Sequence, residues 1–199
     1  MLSRSKDIAH MFSGLDLAFA HTEILQVPLR QIEPSILRAI VQAAREHRRV
    51  ELAYISMTSG VEEERIIVPH TLVCTPLRWH VRAYCEKHRE YRDFVLSRFR
   101  GLPELMEESE KSMNDDVLWN TEVTILIKPD SRLDPIQRDI LAHDFGMTEH
   151  CLHVKTRAPL VTYVLKAFNL DADKLDADPQ AQQIVLANRQ EIAPYFFRK

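Results

Sequence analysis

Trp79-His80-Val81-Arg82-Ala83-Tyr84 alternates with a period of two. On a strand this puts Trp79, Val81 and Ala83 on one face and His80, Arg82 and Tyr84 on the other. The strand signals around it decide the fold. Val50–Met57 precedes it, followed by the turn Thr58-Ser59-Gly60; Glu64–Val68 and Thr71–Thr75 come next, separated by Pro69-His70, and Tyr91–Phe99 comes last. Five short strands with tight turns predict a small, strongly bent barrel, because a flat sheet of this size leaves two bare edges. Ile32, Ile36, Leu37, Ile40, Val41 and Ala44 recur at helical spacing upstream, and Pro34 suits a first turn, so a helix over 32–48 leads into the strands.

Further out the signals change. Residues 101–114 contain Pro103 and five charged residues and read as a surface linker with some helix near 104–111. Thr121–Lys128 and Cys151–Arg157 alternate as strands. Asp134 is a natural N-cap before Pro135, with a helix to about Asp144, and further helices are expected at 160–168 and 179–193. The first 29 residues offer one apolar helical face (Ile8, Met11, Phe12, Leu15) and an extended stretch before Pro28. The expected organisation is α+β: a segment 1–29, a helix-plus-barrel domain 30–102, a linker 103–117 and a small α/β C-terminal extension 118–199.

Composition excludes several functions. Four glycines, at 14, 60, 101 and 146, are too scattered for a phosphate-cradling loop. Three cysteines, at 74, 85 and 151, form no CxxC, which with the lack of a signal peptide points to a reducing cytoplasm. Cys85 and His88 lack a second ligand pair for zinc. The acidic run Asp171, Asp173, Asp176, Asp178 fails the EF-hand pattern, with Asp176 where glycine is needed. Asp115-Asp116 falls in the expected linker and carries no catalysis, so no cofactor and no enzyme activity are expected.

Charge is uneven. Residues 30–100 hold 13 basic and 9 acidic groups, and 12 of the 13 are arginine; residues 101–199 hold 11 basic and 17 acidic groups. Guanidinium forks suit bidentate anion recognition better than lysine does. His80, Arg82 and Tyr84 share a face, joined by Arg92 or Arg98 from the next strand. Tyr54 and Ser56 share a face of the first strand, Arg65 opens the second, and His70 follows Pro69. Arginines interleaved with aromatics suit a phosphate with a stacked base. The competing reading pairs the same arginines with Glu62, Glu63, Glu64 and Asp93.

Residues 31–100 resemble the WYL domain of bacterial transcriptional regulators. The resemblance rests on Tyr54-Ile55-Ser56, Thr58-Ser59-Gly60, Arg65, Pro69-His70, Arg78 to Tyr84, and Tyr91 to Phe99, with the name-giving triplet standing as Trp79-His80-Val81. The form with His80 and Arg82 is similar to phage-defence regulators of BREX and CBASS-type systems, and residues 115–199 to the C-terminal extension that supports dimerisation. The resemblance implies a Sm-like barrel, a homodimer, and an anionic ligand, nucleotide or single-stranded nucleic acid. It implies ligand contacts from Tyr54, Ser56, Arg65, His70, His80, Arg82, Arg92 and Arg98; Trp79, on the face opposite Arg82, is expected in the core. Such regulators begin with a winged helix-turn-helix, for which 29 residues are too few. The chain is therefore expected to be a fragment of a longer repressor or a stand-alone sensor, with DNA contact only through a part outside it. A single-strand binding module without regulatory output, a nucleotide-processing enzyme using His70 or His80, and a purely structural dimerisation piece are the alternatives.

Overall fold

A computed structural model describes residues 30–76, 78–171 and 174–197. The expected helical face and extended stretch of residues 1–29 lie outside the described residues.

Helix α1 (Pro34–Glu46) starts at its proline and ends where His47 turns left-handed at φ 52°, donating its N–H to the Ala43 carbonyl. It buries Ile36, Ala39, Ile40 and Ala43, a strict i, i+3, i+4, i+7 stripe. That stripe is rotated toward the alanines relative to the expected one, and the small side chains bring the helix backbone close to the sheet. Strands β1 (Arg48–Ile55), β2 (Glu62–Cys74), β3 (Trp79–Cys85), β4 (Glu90–Val95) and β5 (Phe99–Glu108) follow. They form one antiparallel sheet in the order β4-β3-β2-β1-β5.

Five strands are present, but two differ from expectation. The signals at 64–68 and 71–75 are one long strand, β2, and Pro69 survives inside it because the ladder slips between Pro69 and Thr71. A bulge there absorbs the missing proline donor. The expected linker with helix near 104–111 is instead β5, hidden by Gly101 and Pro103. Gly101 has φ +73°, and a Cβ there would meet the Ala53 side chain.

The expected closed barrel is corrected to a curled, open sheet. No β4–β5 ladder closes it among the described residues. The curl is nonetheless steep. In a flat sheet β1 and β4 would stand about 14 Å apart, three spacings of about 4.8 Å. Yet the Tyr54 ring of β1 lies 5.1 Å from Phe94 of β4, and its hydroxyl accepts the Val95 N–H at 3.2 Å. A single 3-10 turn, Leu96–Arg98, joins β4 to β5 and brings the two edges together. Inside the curl and under α1 sit Val50, Leu52, Ile67, Val81, Ala83, Leu96 and Phe99. Burying such aliphatic and aromatic side chains contributes roughly 1.5–3 kcal/mol each.

A second core lies in the C-terminal part. Strands β6 (Glu122–Pro129), β7 (Leu152–Arg157) and β8 (Ile184–Leu186) form an antiparallel sheet in the order β7-β6-β8. Helix α2 (Pro135–Asp144) begins as expected, with a reciprocal capping box between Asp134 and Gln137. Helix α3 (Val161–Ala167) contributes Val161 and Leu165 to a core with Ile125, Ile127 and Ile192. The expected helix over 179–193 is corrected: that stretch holds β8 and only the short α4 (Arg189–Ile192). Ile184 to Leu186 are apolar, and Ile184 and Val185 are β-branched, which suits the strand ladder with Ile127 to Pro129. Among the described residues no helix is long and apolar enough to cross a membrane.

Candidate functional site

Period two holds along β3. Val81, Ala83 and Cys85 point into the curl, and His80, Arg82 and Tyr84 point away from it. Cross-strand register puts Asp93 directly opposite Arg82, Val95 opposite His80 and Tyr91 opposite Tyr84, so β4 supplies that outer face with Tyr91 and Asp93. The bulge at Pro69 leaves His70 out of the ladder and aims it at the same face.

This face is covered by residues that follow β5. Ser112 to Asp115 close a capping box, and the chain then lays Asp116 and Trp119 onto β2 and β3. Arg82 donates from Nε to Asp116 Oδ2 at 2.7 Å and from Nη2 to Oδ1 at 3.1 Å, a two-pronged pairing. Its Nη1 reaches Asp93 Oδ1 at 3.3 Å. His70 Nε2 lies 3.3 Å from Asp116 Oδ2, and the Trp119 N–H donates to Asp116 Oδ1 at 3.1 Å. Asp116 is 1% exposed and Arg82 5%. Burial opposes ionisation of Asp116, but hydrogen bonds from His70 and Arg82 hold its carboxyl well below the usual range. Burial pushes the Asp93 carboxyl up, against the pull of Arg82.

The C-terminal part closes the other end. Tyr163 of α3 stacks on His80 at 4.5 Å between ring centroids and donates its hydroxyl to Asp93 Oδ2 at 3.3 Å. Arg78 lies over the Tyr163 ring. His80 is completely buried, and neither of its ring nitrogens has a hydrogen-bond partner among the described residues. Burial, then the charges of Arg78 and Arg82, push its pKa down to about 4.

Three of the eight residues expected at the site, His70, His80 and Arg82, share this face. The others do not join them in one cluster. Arg65 shares the parity of Ile67, bonds the Glu64 carbonyl and pairs with Glu63 at 2.6 Å; Lys87 also holds Glu63, whose pKa falls to about 2. Arg92 shares the parity of Phe94 and pairs with Glu90 at 2.7 Å. Ser56 is half-buried, and its Oγ accepts the Thr58 N–H. Arg98 sits in the turn just past Val95 and makes no ion pair with the described residues. Tyr54 lies in the core against Phe94 and Phe99. Tyr54→Phe is therefore expected to cost about 1 kcal/mol in a urea melt, because the Val95 N–H loses its acceptor. The expected core position of Trp79 is corrected: as the first residue of β3 it is 40% exposed.

The pairing of arginines with Glu63 and Asp93 follows the competing reading of the sequence. Asp116, Trp119, Tyr91 and Tyr163 were not anticipated. A Ser-x-x-Asp capping signature at 112–115 and a tryptophan four residues on are the signals that mark this stretch as ordered. Cys85 Sγ lies 3.2 Å from His88 Nδ1, but no group of three metal-ligating residues assembles among the described residues.

Residues 35–103 match the family model described as WYL domain, and residues 122–192 match the one described as BrxR transcriptional regulator, C-terminal dimerization domain. The chain is 37% identical over 163 residues to the DNA-binding transcriptional repressor CapW of Pseudomonas aeruginosa, covering 82% of this chain and 54% of that protein. It is 34% identical over 164 residues to CapW of Escherichia coli (strain KTE188), with the same coverages. It thus spans about half the length of these curated relatives. A solved structure of the proteasome accessory factor B/C of Arthrobacter aurescens is similar at a TM-score of 0.37 and 19% identity, covering 83% of this chain and 27% of that one. By these two family matches, in the same order as its two cores, the chain carries a WYL domain followed by a BrxR-type C-terminal dimerisation domain.

Proposed function

We propose that this chain is the ligand-sensing and dimerising part of a cytoplasmic transcriptional repressor, one that controls a phage-defence operon. Residues 30–102, together with the rest of β5 to Glu108, serve as the Sm-like sensing domain, and residues 118–199 as the extension through which two copies pair. The ligand is anionic, a nucleotide or single-stranded nucleic acid, taken up around Arg82, His70 and His80. DNA is contacted through a winged helix-turn-helix outside this chain.

One observation carries this reading. The outer face of β3 holds Arg82 between two carboxylates and is also where the C-terminal part touches the WYL-matched segment. His80 stacks on Tyr163, and Arg82 holds Asp116 and Asp93. An anion received at Arg82 therefore has differential affinity for arrangements of the two parts, which a ligand needs in order to shift a population.

The test is thermal and electrostatic. Oligothymidylate raises Tm by mass action, by about 2.7 kcal/mol of stability at a hundredfold excess over Kd. Arg82→Ala, which removes the guanidinium at the centre of the face, weakens that binding and reduces its log–log salt slope by about 0.7. No rise in Tm with oligothymidylate or ATP would remove the sensing reading and leave a dimerisation piece.

A further inference from the structure

We propose that Asp116 is a built-in occupant of the anion receptor, and that a nucleic-acid phosphate works by displacing it, lifting residues 109–121 off the sheet. This rests on the reading of the Arg82 face as a ligand site and specifies how that site is regulated.

The geometry is that of a bound anion. Asp116 presents both carboxylate oxygens to one guanidinium fork and sits beside His70, the arrangement a phosphate oxygen pair takes. Arg82 already faces two carboxylates, so a further anion is repelled while both remain. Only one of the two can leave. Asp93 belongs to the β4 ladder, directly opposite Arg82, and its backbone cannot lift away without breaking strand pairing. Asp116 sits on a stretch of turns with no strand ladder, so it can open locally while both sheets stay intact.

What lies beneath the segment suits a base. His70 and Tyr91 are 5.7 Å apart, and Tyr91 and Tyr84 5.3 Å, forming an aromatic row along the face. The edge of Trp119 now covers His70 at 5.6 Å, and Tyr91 donates its hydroxyl to the Ser112 carbonyl at 2.7 Å. With the segment lifted, a phosphate on Arg82 leaves its base beside these rings, where stacking adds affinity without sequence preference.

The segment also has a grip on the other sheet. Arg157 of β7 donates to the Trp119 carbonyl at 2.6 Å and lies over its indole at 5.2 Å. The Ala158 N–H bonds the Thr121 carbonyl at 2.9 Å. Displacing Asp116 pulls Trp119 from His70 and from Arg157 together, carrying the event from β2 and β3 to β7.

The experiment uses oligothymidylate with the full chain. Asp116→Asn removes the competing charge while keeping an oxygen for the Trp119 N–H, and is expected to bind about tenfold tighter than the unaltered chain, because the competent state no longer has to be paid out of a minor population. Tyr91→Phe keeps every ion pair and frees Ser112; it is expected to tighten binding by about two- to threefold and serves if Asp116→Asn unfolds. In a Trp79→Phe background the remaining tryptophan is Trp119, 6% exposed, and its emission is expected to shift to the red at saturation. Binding that is unchanged by both variants, or that leaves Trp119 emission unmoved, overturns displacement and leaves the sensing reading standing. Failure of oligothymidylate to bind the unaltered chain and both variants overturns the two together.

Discussion

Asp116→Ala lowers the free energy of unfolding by about 3 kcal/mol, more than any exposed charge substitution in this chain. The reason is the partner left behind. Arg82 is nearly inaccessible to water, and its two-pronged contact with Asp116 is its main compensation. Removing one member of a buried pair strands the other, which typically costs 3–5 kcal/mol. Asp93 stays at 3.3 Å and keeps the loss at the low end. The Trp119 N–H loses its acceptor as well. Replacing both partners, Arg82→Leu with Asp116→Leu, recovers most of the loss, because two apolar groups of suitable volume need no compensation. Urea melts of the two single variants and the double variant measure this as a coupling energy. An additive cycle would show that the pair is a surface contact in solution. The pH dependence has a definite sign. The Asp116 carboxyl is held below its unfolded value, so its contribution is complete above about pH 4 and is lost as the pH falls further.

The contrast between what the sequence disclosed and what it hid has one physical cause. Features set by neighbours in the chain were legible. The period-two alternation of β3 placed Arg82 and His80 on the face away from the core, and Asp134 before Pro135 placed the start of α2 to the residue. Features set by distant pairing were not. Pro69 reads locally as a strand breaker, yet a bulge against Ala83 carries β2 through it. Gly101 and Pro103 read as linker, yet β5 pairs with β1 across them. The site failed in the same way. Tyr54 and Arg82 look alike as polar-capable residues on alternating strands. The curl of the sheet closes Tyr54 against Phe94 and Phe99, and residues that follow β5 fold over Arg82. Asp116 lies 34 residues from Arg82, in a stretch whose composition looks merely solvated.

His80→Phe is expected to make the protein more stable and less sensitive to acid. The wild-type imidazole is fully buried with no hydrogen-bond partner among the described residues, an arrangement that costs free energy at any pH. Phenylalanine keeps the stack on Tyr163 and removes two unpaired nitrogens, for a gain of about 1 kcal/mol at pH 7. The larger effect appears below pH 6.5. The unfolded chain protonates its histidine near pH 6.5, whereas burial and the flanking Arg78 and Arg82 delay protonation of folded His80 to about pH 4. Between those values the unfolded state holds more protons, so stability falls as pH falls, by on the order of 2–3 kcal/mol across the window. Urea melts at pH 7, 6, 5 and 4 measure the slope, and the phenylalanine variant is expected to be flatter by that amount. Equal slopes would place His80 in contact with water. Ligand reception is a purpose that such a residue can serve, and oligothymidylate tests it. If the stabilised variant no longer gains Tm from oligothymidylate, His80 serves ligand reception at the contact between the two cores; if it responds as the wild type does, His80 serves only as the surface on which Tyr163 rests.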